Sequence, residues 1–387
     1  MAVLNRVILS QVTPIERHSP EQFPLFKENS HSAWQIKYRS VPEGERAQLS
    51  DVLIKNFSTL CGHIASIEEV DEAEINNQNF RVRTQTAAGE KHYLLRRVGV
   101  DFSTEGVRRR IEILQRLAQK GCKVPNALMS DTGEKIVEHG GHRYILFDFL
   151  HANHYRGTFK ELTDAGYEIG TLDRELLSLT GTYGDNESLQ LDETFHDRRK
   201  YSDLLWKDIF QRIEAFRQSG QYDQEFNKLV LASGDKILRA TDITEGRLLP
   251  SARQISHIDL HPHNLLTDGS ATVAVLDIDA LFNVEKMRAV SFALHRLVRQ
   301  HIVYSGYRSA KEAVPDVARA FVEAYRAQNT LSDDELRSVP LFIIDEALAR
   351  LTTILKEYAY TGKLPWSRSE FIKHMTSIAE AEYFERL

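Results

Sequence analysis

The hydrophobic pattern changes period once along the chain. From about residue 49 to 150 apolar positions come in short, strand-length groups, whereas beyond 150 they recur every three or four residues over long stretches. Leu49 to Phe57 has helical spacing. NFRVRTQT and KHYLLRRV then read as two strands flanking AAGE, a hairpin that turns at Gly89. The following helix is marked at both ends: Ser103 or Thr104 can cap it, Glu105 suits its first turn, and Gly121 with Pro125 ends it. Val107, Ile111, Leu114, Leu117 and Ala118 form its apolar stripe. A second hairpin closes with the largely apolar strand HRYILFDFL.

After Leu150, helical periodicity runs through ELTDAGYEIGTLDRELLSL, YSDLLWKDIFQRIEAFRQ, EFNKLVLASGDKILRAT, VEKMRAVSFALHRLVRQHI, VARAFVEAYRAQ and ELRSVPLFIIDEALARLTTILKEYAY. Residues 255–280 are the β-like interruption. The pattern predicts an N-terminal extension at 1–45, a small β-rich lobe at 46–150, and a larger, mainly helical lobe at 151–387 with an embedded hairpin. Residues 1–45 hold four of the ten prolines and carry no functional signal. GTYGDNESLQLDETFHDRRK reads as an exposed loop.

Composition narrows the class. With 387 residues, 42% hydrophobic and 27% charged, the chain can bury a large core without disulfides, and its 20 Gly and 10 Pro exclude collagen-like repeats and long disorder. A formal net charge of -6 offers no general attraction to nucleic acid or anionic lipid, so neither is expected as a partner. Two cysteines, Cys61 and Cys122, are too few for a disulfide framework and fit a reducing cytoplasm. Arg6 interrupts the only apolar stretch near the N-terminus, and no run reaches the roughly 18 apolar residues of a spanning helix.

The candidate chemistry lies in ISHIDLHPHNLLTDGSATVAVLDIDAL. Leu265–Thr267 and Thr272–Leu276 read as antiparallel strands around DGS, which brings Asn264, just before the first, near Asp277, just after the second. Two oxygen ligands at that end suit a hard cation such as Mg²⁺. Asp259, in the loop leading there, can orient a hydroxyl or accept its proton during attack on a phosphorus atom. A rival reading takes His257, His261 and His263 as transition-metal ligands of a hydrolase, although Pro262 breaks any helix that would align the first pair.

H-x-D-x-x-x-x-N in HIDLHPHN, followed at hairpin distance by LDID, resembles the signature of the aminoglycoside phosphotransferase and choline kinase-like family. NNQNFRVRT with YLLRR, and GTFKELTDAGYEIGTLDREL, are similar to that family's nucleotide-binding strands and to the helix beyond its interlobe connection. The resemblance spans roughly residues 50–330 and is most specific in the hairpin. It implies an α+β, bilobal protein-kinase-like fold and an ATP- and Mg²⁺-dependent phosphotransferase acting on a hydroxyl of a small polar metabolite. By the same resemblance Asp259 is the catalytic aspartate, Asn264 and Asp277 are magnesium ligands, Asp279 is an auxiliary metal-side or substrate-side carboxylate, and His257 is structural.

The chain departs from kinases in general at three points. It has no G-x-G-x-x-G, so Asn76, Asn77 and neighbouring N–H groups are expected to shape the phosphate-covering loop. Arg96, or Arg97 in the next register, stands where kinases place a strand lysine. Glu112, the only obvious partner on the helix, points roughly 140° from the apolar stripe, toward solvent. The backbone of Phe147, Phe149 and Leu150 is expected to line the adenine site.

The similarity of LLRRV and LDIDAL to sugar-kinase members of that family tilts the acceptor toward a sugar or amino sugar, and a carboxylate at Asp279 favours a sugar, amino sugar or amino alcohol over acidic metabolites. A regulatory pseudokinase is the second hypothesis, which the presence of Asp259, Asn264 and Asp277 opposes. Trp206, Phe210 and Phe216 read as core, whereas Asp173, His295 and Arg296 are substrate or structural contacts that the pattern does not separate.

Overall fold

The computed structural model describes residues 36–70, 77–87, 89–100, 102–190, 201–245, 251–307, 309–365 and 367–387. Its N-terminal part is a six-stranded sheet: β1 (Tyr38–Ser40), β2 (His63–Val70), β3 (Gln78–Thr86), β4 (Gly89–Val98), β5 (Val137–His139) and β6 (His142–Asp148). The strands are antiparallel in the order β1-β2-β3-β4-β6-β5. Tyr38–Ser40 thus joins the sheet edge ahead of residue 46, paired with β2. The β3–β4 hairpin closes at Thr86 and Gly89, whose φ of 113° is open to glycine alone.

Both faces are covered at β4 and β6, which is why those strands lack the alternation that β3 keeps at Phe80, Val82 and Thr84. Helix α1 (Glu43–Asn56), continued by the short α2 (Ser58–Cys61), lays Leu49, Val52 and Leu53 on one face against Val82, Leu95, Tyr144 and Leu146. On the other face Ile145 and Phe147 join the main core with α3 (Thr104–Gln119). Ser103 caps α3, its Oγ accepting the Gly106 N–H at 3.0 Å.

A two-residue strand, β7 (Asn153–His154), leads into the helical part. There α4 (Phe159–Tyr183), α5 (Asp203–Ser219) and α6 (Gln224–Thr244) precede β8 (Arg253–His257), β9 (Leu265–Thr267), β10 (Thr272–Val275) and β11 (Leu281–Glu285). Helices α7 (Lys286–Ser305), α8 (Ala310–Arg326), α9 (Asp333–Thr361) and α10 (Arg368–Glu380) follow. A small β-rich region ahead of a mainly helical one is the expected α+β, protein-kinase-like arrangement. Trp206 is fully buried, with Phe210 and Phe216 packed on the same core. Helix α10 was not foreseen because its buried positions are Phe371, His374, Ser377 and Glu380, one apolar residue among three polar ones.

In the polar stretch, α4 continues to Tyr183 and a 3₁₀ turn at Glu187–Leu189 follows, while 191–200 lie outside the described residues. Both cysteines are buried free thiols. Among the described residues no helix is long and apolar enough to cross a membrane.

Candidate active site

Strand β8 delivers the chain to His257, which is buried. Burial lowers its pKa and keeps the ring neutral, so its Nε2–H donates to the Leu276 carbonyl at 2.8 Å while Nδ1 accepts the Asp259 N–H at 3.3 Å. His257 therefore staples the loop to the end of β10, and both its nitrogens are engaged. The loop then makes a 3₁₀ turn at Pro262–Asn264 and enters β9. Strands β9 and β10 pair Leu265 with Val275, and the Leu276 N–H donates to the Asn264 carbonyl at 2.9 Å. That bond sets Asn264 beside the residue preceding Asp277. Asn264 Nδ2 donates to the Asp259 carbonyl at 2.8 Å, which anchors the amide nitrogen and so fixes the orientation of Oδ1.

Asp277 has φ 57° and ψ 60°, a left-handed conformation that aspartate tolerates better than most residues. It lies two residues beyond β10, and a 3₁₀ turn at Ile278–Ala280 follows. Asp277 and Asp279 consequently do not share one face of an extended strand. Instead Asp279 Oδ2 accepts from Asn77 Nδ2 at 2.9 Å and Arg96 Nη1 at 3.2 Å. Asp279 is thus drawn to the sheet by a cation, and the Asn77 side chain is tied between Asp279 and the Gly99 N–H, 3.1 Å from its Oδ1. Asn76 lies outside the described residues.

Strand alternation turns Arg96 inward, where it is buried and donates from Nε to Asn79 Oδ1 at 3.0 Å. Arg97 turns outward to Glu45 at 2.7 Å. Glu112 pairs with Arg109 at 2.9 Å, away from Arg96. Arg110 occupies the inner face of α3 instead, its Nη2 donating to the Leu281 carbonyl at 3.4 Å and its guanidinium 5.1 Å from the centre of the Phe282 ring. Burial lowers the Arg110 pKa, against the opposing charges of Asp279 and Asp277. Its position three residues after Val107, inside the apolar stripe, is the signal that could have found it.

The largest omission from the sequence reading is Arg350 on α9. Its Nη2 lies 3.1 Å from Asp259 Oδ1 and its Nε 2.8 Å from Glu346 Oε1, and His261 Nε2 stands 3.4 Å from Asp259 Oδ2. Burial opposes ionisation of Asp259, but Arg350 and then His261 outweigh it and hold the carboxyl well below the usual carboxylate range. The charge chain continues through Glu346 to Arg288, which binds Asp345 at 2.6 Å. A lone arginine in the otherwise uncharged run ALARLTTIL was the available sign.

At the connection between the two parts, the Phe147 ring is buried, 5.9 Å from the Arg96 guanidinium. The Phe149 N–H donates to the His92 carbonyl at 3.4 Å and the Leu150 carbonyl accepts from Ala152 at 3.0 Å, so these two expected recognition groups are internally bonded. The histidines do not form a metal centre: His257 is committed to backbone groups, and among the described residues no three His, Cys, Asp or Glu side chains converge as one.

Residues 68–281 match the phosphotransferase enzyme family, the APH family. Homoserine kinase of Zymomonas mobilis subsp. mobilis is 23% identical over 346 residues, covering 86% of this chain and 96% of that protein. Two solved structures share the fold: a spectinomycin phosphotransferase in complex with ADP and spectinomycin (13% identity, 88% and 98% covered, TM-score 0.61), and an amicoumacin kinase with AMP-PNP and Ca²⁺ (15%, 88% and 94%, TM-score 0.58). The matched segment takes in β3, Arg96, Asp259, Asn264 and Asp277, so the chain belongs to the phosphotransferase enzyme family and is a small-molecule kinase with a hydroxyl acceptor.

Proposed function

We propose that the protein transfers the γ-phosphoryl group of ATP to a hydroxyl of a small polar metabolite, using Mg²⁺. The observation that carries this reading is the closure of the β9–β10 hairpin, which brings Asn264 and Asp277 together one hydrogen bond from the Asp259 loop. An anchored amide oxygen and a carboxylate fit Mg²⁺, which takes few protein ligands and completes its shell with water and phosphate oxygens. Bound there with ATP, Mg²⁺ would offset the negative charge that develops as the β–γ bridge breaks. Arg96, held by Asp279 and Asn79, supplies a fixed positive charge for phosphate oxygens. We assign Asp279 to that positioning role and residues 46–150 to nucleotide binding.

Asp259 acts on the acceptor. Its depressed pKa keeps it a carboxylate throughout the physiological range, so it first orients the acceptor O–H. As the acceptor oxygen bonds to phosphorus and the bond to the ADP oxygen breaks, the hydroxyl proton passes to Asp259. Sugars and amino sugars rest on the likeness of LLRRV and LDIDAL and on the Asp279 carboxylate, and the engagement of Asp279 with Arg96 weakens the second of these supports. Relatives named for homoserine, spectinomycin and amicoumacin leave the acceptor open within small hydroxyl compounds. Two buried free thiols and the proposed use of ATP support a cytoplasmic location.

Asp259→Asn tests the reading. With an acceptor found by substrate-dependent ADP release, kcat should fall by about 10²–10⁴ while Mg²⁺-ATP binding persists. Turnover close to wild type would remove Asp259 from the chemistry.

A further inference from the structure

A cluster of charges adjoins Asp259, and nearly all of them are paired. On α7, α9 and α10, behind the Asp259 loop, Arg350 is held by Asp259 and Glu346. Arg299 binds Glu380 at 2.8 Å, as does His295 at 2.9 Å. Lys373 lies 3.2 Å from Glu370, which also faces His374 at 3.6 Å. Arg296 is the exception: it is 8 % exposed, its Nε is buried with no hydrogen-bond partner, and among the described residues no carboxylate pairs with it.

Its position is next to the chemistry. Arg296 and Arg350 share the Phe292 ring, their guanidinium carbons 5.2 and 5.0 Å from its centre, and Arg350 is the residue that touches Asp259. Helix α7, which carries Arg296, packs on the turn Pro262–Asn264. A buried guanidinium without a counter-charge is costly to maintain, because desolvation is not offset by an ion pair. The carboxylates in its field, Glu380 and Glu370, are already engaged, and Arg299 and Arg350 repel it. Burial and then these two arginines push the Arg296 pKa down to about 10, and burial and then Arg296 push Lys373 down to about 8, against Glu370. The missing partner is negative.

We propose that the hydroxyl acceptor carries a compact oxyanion, a carboxylate or a phosphate, which pairs with the unpartnered Arg296 beside Lys373 while its hydroxyl faces Asp259. This rests on the phosphotransfer reading for the role of the bound molecule, but the anion site itself stands on Arg296. It reverses the preference against acidic acceptors that the sequence suggested through Asp279.

The test uses the purified full chain and reads binding and turnover separately. L-Homoserine, 3-aminopropan-1-ol and 4-hydroxybutyrate form a matched set, the second lacking only the carboxylate of the first and the third only its amine. Glycerol 3-phosphate substitutes a phosphate, and glucosamine represents cationic sugars. Each is titrated calorimetrically in the presence of Mg²⁺ and a non-hydrolysable ATP analogue, and each is then assayed for ADP release with ATP. The anionic alcohols should bind at least about tenfold more tightly than 3-aminopropan-1-ol or glucosamine, the scale of one charge-assisted hydrogen bond.

Arg296→Met should weaken that binding, and raise the acceptor KM, about 10- to 100-fold while the KM for ATP stays within about twofold. Arg296→Lys should recover part of the loss, and Arg296→Met should be at least as heat-stable as wild type, which separates lost binding from lost fold. A carboxylate or a phosphate as the tighter ligand identifies the oxyanion, and either supports the proposal. It is overturned if no anionic alcohol binds, if a neutral or cationic alcohol is the best ligand, or if Arg296→Met leaves anion binding unchanged. Arg296-dependent anion binding without turnover of any alcohol would instead sink the phosphotransfer reading and leave this site standing.

Discussion

Three polar residues that sequence alone could not assign, Asp173, His295 and Arg296, divide according to what each meets on burial. His295 closes on Glu380, Arg296 meets no carboxylate among the described residues, and Asp173 is enclosed in the core with a single carboxyl oxygen satisfied, by the Tyr325 hydroxyl at 2.9 Å. Burial pushes the Asp173 pKa up to about 7, with Tyr325 and Lys286 opposing. A folded pKa above the unfolded value means that its contribution is fully present below about pH 4 and is lost as pH rises through 7. Wild-type unfolding free energy should therefore fall by about 4 kcal/mol between pH 4 and 8 from this group. In Asp173→Asn, which keeps the shape and cannot ionise, that fall should disappear. Urea titrations at several pH values measure both, and parallel pH profiles for the two proteins would show that Asp173 is not the titrating group.

Elements pack here as closely as their smallest residues permit. On α4, a β-carbon at Gly166 would stand 2.7 Å from the Phe321 carbonyl oxygen of α8, and one at Gly170 would stand 2.6 Å from that of Tyr325. Backbone oxygens cannot yield as side-chain ends do, so the two helices touch through their main chains. Gly170→Ala should cost roughly 1–3 kcal/mol through overpacking. Gly181, near the end of the same helix, has nothing within 4 Å, and Gly181→Ala should gain up to about 1 kcal/mol from helix propensity. Thermal denaturation of the two variants checks the contrast: similar shifts in both would mean that α4 and α8 are not in backbone contact. Phase matters equally on α3, where one step along the helix separates buried Arg110 from Ile111 and two separate it from outward Glu112.

Across the whole molecule, the sheet and the helical part are joined at Asp279, which reaches both Arg96 and Asn77. Nucleotide bound with Mg²⁺ at Asn264 and Asp277 would add a second tie. ATP should stabilise the wild type more in Mg²⁺ than in EDTA, by about 2.7 kcal/mol at a hundredfold excess over Kd. Asp277→Ala should abolish the difference between the two conditions. A Mg²⁺-dependent shift that survives in the variant would place the cation elsewhere.

Much of this was determined by sequence because it is local or repeated. The β3–β4 hairpin at Gly89, the Ser103 cap, the change from short strands to long helices, and the hairpin that sets Asn264 beside Leu276, the neighbour of Asp277, all follow from period, turn chemistry and short loops. Alternation set Arg96 and Arg97 on opposite faces of β4 but left open which one turns inward, and the tertiary structure put Arg96 there. What only the tertiary structure decided are pairings between residues far apart in the chain. Arg350 meets Asp259 across 91 positions, Arg96 meets Asp279 across 183, and neither pairing leaves a periodic trace. Charge balance is of the same kind. An arginine on α7 reads identically with or without a counter-ion, because whether a carboxylate arrives depends on how α7, α9 and α10 converge, and at Arg296 none does among the described residues.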